Sequence, residues 1–162
     1  MKRTLLLFTS ILCSVLGFSQ GINFEKGTWK EVLEKAKLTN KPIFVDVYTT
    51  WCGPCKAMSK DVFPQEIVGN YLNDKFISYQ IDAEKGDGIE VARLYTVTAY
   101  PTYLFLNPKG EFFYKFMGFM QAETFIEKTK EAFSEYNDPK TIADWDKEFL
   151  EKKKIRSFFW ST

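Results

Sequence analysis

Apolar residues along this chain recur with two different periods, and the switches between them mark out the elements. Behind Thr28, a residue type that caps helices, Trp29, Val32, Leu33 and Ala36 follow the helical spacing until Asn40-Lys41-Pro42 stops it. The run 43–48 is apolar at every position but Asp46, which predicts a strand buried on both faces of a mostly parallel sheet. A helix is expected to start at Cys52 and reach about residue 61, and Pro64 restarts a second helical piece to residue 73. Residues 76–82 read as the next strand, Lys85-Gly86-Asp87-Gly88 as a turn and 89–95 as a short helix. Residues 102–106 form a strand, Asn107-Pro108-Lys109-Gly110 a strong turn, and 111–117 the hairpin partner, followed by a helix over 121–136. Residues 20–27 read as a linker. A β-α-β-α order closed by a hairpin and a helix predicts an α/β fold, a central mixed β-sheet flanked by helices.

Both ends depart from this pattern. Met1-Lys2-Arg3 is a basic start, and the stretch over 4–18 is almost wholly apolar and uncharged. This is the order of a secretory signal peptide, and it falls short of the ~20 apolar residues of a membrane span. Gly17-Phe18-Ser19 puts small residues where a signal peptidase reads, so residues 1–19 are expected to be removed, by cleavage before or just after Gln20. An uncleaved anchor or a core helix is the alternative. Cys13, preceded by Leu12 rather than a small residue, raises a lipoprotein reading. At the other end Asp138 and Pro139 can open a further helix, with Ile142, Trp145, Phe149 and Leu150 as its apolar stripe. Residues 137–162 are therefore expected to be a helical extension, packed on the domain of residues 20–136 or offered to a partner.

Composition narrows the chemistry. The chain has 162 residues, enough for one domain with a real core. With 22 basic and 21 acidic residues it has no basic field to hold nucleic acid. It contains no histidine, which removes Ser-His-Asp and Cys-His catalysis and every histidine-bearing metal site. Its three cysteines, Cys13, Cys52 and Cys55, supply at most half of a zinc site once Cys13 leaves with the signal. No metal and no cofactor are expected.

The remaining pair lies in Trp51-Cys52-Gly53-Pro54-Cys55-Lys56, at a strand-to-helix turn. Residues three apart share a helix face, so Cys55 can reach the Cys52 sulfur and one disulfide can open and close there. The thiolate is the reactive form, and unpaired N–H groups at a helix start stabilise it. Pro54 suits the first turn, where no N–H is needed. Asp46 sits inside the apolar strand, where a carboxylate is costly unless protonated or paired. Burial raises its pKa and makes it the best candidate to accept a proton from Cys55; a solvent-facing or ion-paired strand carboxylate is the alternative.

Asp46, the motif at 51–56, Tyr100-Pro101-Thr102, Gly110 and Gly118, in that order, make residues 28–135 resemble the thioredoxin superfamily. The stretches 41–46 and 61–63 look most similar to exported members, including the catalytic domain of membrane thiol:disulfide interchange proteins. The resemblance implies a thioredoxin fold with an extra C-terminal helix. It makes Cys52 the exposed attacking cysteine and Cys55 the buried resolving one, with Pro101 a cis-proline facing them. Tyr100, Trp51, Gly53, Pro54 and Gly118 would line the groove for an extended substrate. Many thioredoxins carry a lysine near the buried aspartate; alignment on Ile81-Asp82 puts Ser78 there.

Gly53-Pro54 resembles reducing thioredoxins, whereas the leader directs the chain to a compartment where disulfides persist. The expectation is a monomeric periplasmic thiol-disulfide oxidoreductase that reduces disulfide-containing exported proteins and is recharged by a membrane thiol transporter. A disulfide oxidase or isomerase is the second reading, and a non-catalytic interaction module of the same fold is the third.

Overall fold

A computed structural model describes residues 21–138. The expected signal peptide, Cys13 and the expected helical extension past residue 138 lie outside the described residues. The elements run α1 (Trp29–Thr39), β1 (Ile43–Tyr48), α2 (Gly53–Ala57), a π-helical turn (Met58–Val62), α3 (Glu66–Lys75), β2 (Ile77–Asp82), α4 (Asp87–Leu94), β3 (Thr102–Leu106), β4 (Phe112–Met117) and α5 (Ala122–Asn137). The four strands form one sheet in the order β2-β1-β3-β4. β1 runs parallel to β2 and antiparallel to β3, and β4 closes the hairpin with β3. The sheet is therefore mixed, as the element order implied, with β1 in its interior.

Alternate residues of β1 feed two separate cores, because successive side chains point to opposite faces. Ile43, Val45 and Val47 pack with Val32 and Ala36 of α1 and Val91 of α4. Phe44 packs on the other face with Tyr103 and Phe105 of β3, Met58 and Val62 of the π turn, Leu72 of α3, and Phe125 of α5. This second core is largely aromatic: the Phe125 ring meets Phe44, Phe63, Tyr103 and Phe116 at centroid separations of 5.9, 5.6, 5.2 and 5.8 Å.

Local chemistry explains the element ends. Thr28 and Glu31 form a capping box on α1, each side chain satisfying the other's backbone N–H. Gly110, at φ +84°, takes the left-handed turn of the β3–β4 hairpin, which a side chain would strain. A bulge between Phe105 and Leu106 shifts the hairpin register, and the outer edge of β4 pairs with no other strand among the described residues.

Three expectations need correction. The helix after the cysteines does not run evenly to residue 61: it passes into the π turn, where Phe63 N donates to Met58 O, and ends before Pro64. The wider turn brings Met58, Val62 and Phe63 all into the core. Residues 21–27 are not a free linker. Ile22 N donates to Phe63 O, Phe24 forms a parallel bridge with Ser78, and Glu25 N donates to Ser78 O, so the segment straps the outer side of β2. Asn73 fastens it from α3, donating to Gly21 O and accepting from Asn23 N. Finally, α4 starts at Asp87, inside the expected turn, with Gly88 in its first turn against the Asp82 carbonyl.

Candidate active site

The register of the sheet brings the site together. Val47 near the end of β1 pairs with Thr102 at the start of β3, so the turns carrying the cysteines and Pro101 leave the same end of the sheet. Cys52 is the N-cap of α2, and its sulfur accepts from Cys55 N at 3.1 Å. Pro54 occupies the first turn, where its missing N–H leaves nothing unsatisfied. Cys52 and Cys55 are joined in a disulfide. Each is only 3% exposed, so Cys52 is not the more open of the two in this oxidised state. The reason is geometric: the Cys52 sulfur turns back onto the helix, toward its bonded partner and the Cys55 amide.

Around the disulfide the surface is aromatic. Trp51 is 65% exposed, and its indole N–H donates to both carboxylate oxygens of Glu84, at 3.0 and 3.1 Å. The Trp51 ring meets the Tyr100 ring edge-on at 6.0 Å. The Tyr100–Pro101 peptide is cis. Pro101 O accepts from Gly118 N at 2.9 Å, which ties the Pro101 turn to the end of β4, where Met117 and Phe119 are exposed. Gly53 and Pro54 are open to solvent beside Trp51. Of the groove residues named from the sequence, Trp51 and Tyr100 meet and Gly118 is tied to Pro101; Glu84, which fixes the indole, was not among them. A cavity of about 450 Å³ opens on the Cys55 side, between Tyr48, Thr49, Lys56 and Ser59.

Asp46 lies on the sheet face that α2 and the π turn cover, two residues along from Phe44. It is 1% exposed and, among the described residues, pairs with no cation, so within them it is neither solvent-facing nor ion-paired. Burial pushes its carboxyl up to about 7, against the opposing pull of a hydrogen bond from Gln80 Nε2 to Oδ2 at 2.9 Å. Its other oxygen, Oδ1, has no partner. The flanking strands set this environment, with Gln80 opposite Asp46 on β2 and Tyr103 on β3. The Tyr103 phenol is buried and unpaired, and burial together with the Asp46 charge pushes its pKa far up. Ser78, expected beside Asp46, pairs instead with Phe44 one row away. The residue that touches Asp46 is Gln80.

Among the described residues no group of three or more His, Cys, Asp or Glu could hold a metal ion, and no helix is long and apolar enough to cross a membrane. The site thus holds a Cys52–Cys55 disulfide at a helix start, an aromatic rim and a buried carboxyl pushed up to about 7, an arrangement that suits thiol-disulfide exchange.

Comparisons with known proteins point the same way. The model of a family described as Thioredoxin-like matches residues 24–108. A chloroplastic thioredoxin Y1 of Arabidopsis thaliana is 31% identical over 127 residues, 78% of this chain and 70% of that protein. A chloroplastic thioredoxin Y of rice is 36% identical over 105 residues; the alignment takes in 65% of this chain but only 57% of the rice protein. Among solved structures, a candidate disulphide-isomerase from Bacteroides thetaiotaomicron superposes with a TM-score of 0.64 at 39% identity, covering 75% of this chain and 98% of that one.

Proposed function

This chain belongs to the thioredoxin-like family, and from that premise we propose that it is an exported thiol-disulfide oxidoreductase that reduces disulfides in other exported proteins. In the reduced enzyme the Cys52 thiolate attacks one sulfur of a substrate disulfide. A Cys52–substrate disulfide forms, and the other substrate sulfur leaves as a thiolate that takes up a proton. Cys55 then gives its proton to Asp46 and attacks the Cys52 sulfur. The second substrate sulfur leaves, and the Cys52–Cys55 disulfide of the present structure remains. Two electrons pass to the substrate in each cycle and must be returned by a donor, for which a membrane thiol transporter fits an exported protein.

The observation that carries this reading is the buried Asp46, held near neutrality on the face beneath the dithiol helix. A purely structural disulfide needs no proton acceptor, whereas an exchange cycle does. The Gly53-Pro54 pair and the basic-then-apolar leader support the reducing direction and the export. Cys55→Ser is expected to trap Cys52 in mixed disulfides with exported proteins, seen as adducts that dissolve on adding dithiothreitol; a cell extract without adducts would sink the catalytic reading.

Isomerisation is the second reading, and the 39% identity to the Bacteroides protein favours it. Equilibration in glutathione buffers separates the two. A reductase holds its own disulfide at a lower potential than an isomerase does. Recovery of scrambled ribonuclease without net reduction would decide for the isomerase.

A further inference from the structure

The two oxygens of Asp46 have different surroundings. Oδ2 is held by Gln80, and Oδ1 is buried without a partner. The register dictates this, because Gln80 and Asp46 are paired residues of parallel neighbours and their side chains lie abreast on one face. Gln80 is only partly buried, and with Ile22, Phe24 and Ser59 it lines a cleft of about 320 Å³ beneath the N-terminal strap. It therefore stands between the carboxyl and solvent. An amide also differs from a lysine in one respect that matters here. It carries no charge, so its N–H can stay on Oδ2 whether or not Oδ1 bears a proton, while an ammonium would strongly favour the charged form.

We infer that Gln80 is a positioning residue for the exchange reaction: it pins Oδ2 of Asp46 in both protonation states and leaves Oδ1 as the atom that takes the Cys55 proton. The inference rests on the reading of Asp46 as the proton acceptor. Other groups around Asp46 do not fill this role. Tyr103, from β3, is buried with its hydroxyl unpaired. Cys55, from α2, is bonded to Cys52 and does not titrate in this state. Lys56 and Lys60, on the helix and π turn above, are exposed.

The test is a titration of the Asp46 side-chain carboxyl by carbon NMR in the oxidised full chain, with Asp46→Asn to assign the signal. Removing a hydrogen bond to the charged form should raise the midpoint, so Gln80→Leu is expected to move it up by about one pH unit. Gln80→Met, which keeps the length of the side chain, is expected to do the same and serves if the leucine variant does not fold. In parallel, the pH profile for release of a Cys52 mixed disulfide should move up by a matching amount. An unmoved carboxyl midpoint overturns the inference, as does a uniform loss of rate at every pH. A shifted midpoint in a protein that reduces no disulfide would leave Gln80 as the anchor of Asp46 and remove the reductase reading instead.

Discussion

At the scale of single residues, Asp46 imposes a pH dependence on the whole protein. The unfolded chain ionises this carboxyl near its ordinary value of 3.8, and the folded chain only at about 7. Below about 4 both states are protonated and there is no penalty. As the pH rises from there to 7 the unfolded state alone releases its proton, so stability falls, and above 7 the loss is complete. At about 1.4 kcal/mol for each tenfold step in acidity, the loss is on the order of 4 kcal/mol. Asp46→Asn is thus expected to raise stability by a few kcal/mol at pH 8 and to change little at pH 4, read as the shift in urea midpoint; an equal effect at both values would contradict the buried-acid account. Cys52, Cys55 and Asp46 could be picked out in the sequence because each breaks a local rule, a paired thiol at a helix start or a charge in an apolar strand, whereas Pro101 came only with the resemblance to the thioredoxin superfamily. Gln80, Tyr103 and Glu84 break none. What makes them part of the site is strand register and loop path, and alignment on Ile81-Asp82 led to Ser78, which shares the face of Asp46 but sits one row away.

At the scale of elements, the parts that hold the site are short and depend on their ends. The capping box on α1 accounts for two otherwise unpaired N–H groups, and Thr28→Ala is expected to cost about 1 kcal/mol in urea unfolding without altering thiol chemistry. Gly88 is less forgiving. A Cβ there would overlap the Asp82 carbonyl oxygen at the end of β2, so either α4 or the β2 end must shift. Gly88→Ala should therefore lower the thermal midpoint clearly and also disturb the nearby Trp51–Glu84 contact, measurable as altered indole emission. Strands β1 and β3 were legible to the residue, since each is a dense apolar run bounded by Pro or other turn residues. The π turn was not, because one extra residue in a turn leaves no trace in five residues of apolar pattern. The strap was misread as a linker because Ile22 and Phe24 make too short an alternation to stand out from a loop.

At the scale of the whole molecule, the order of elements was enough to foresee a mixed sheet between helices, since few topologies join such a series without crossing. It did not reveal that the two sides of the sheet would differ so much, one mainly aliphatic and one built on aromatic rings meeting mostly edge-on. That asymmetry arises from the alternation within β1 and β3, where Phe44, Tyr103 and Phe105 all fall on one side. It has a further consequence at the free edge of the sheet. Strand β4 reads Phe-Phe-Tyr-Lys-Phe-Met, with Lys115 as its single charge, and among the described residues one of its edges pairs with no strand. A short aromatic strand with an open edge is a template for stacking chain upon chain. Lys115 is exposed in the middle of it, and a charge placed there is expected to disfavour such stacking. Lys115→Val should leave the isolated fold intact and raise light scattering when the protein is refolded at high concentration; unchanged scattering would show that the bulge alone protects the edge. The colloidal stability of this protein in a crowded compartment would then hang on one ammonium group, well removed in purpose from the chemistry of its cysteines.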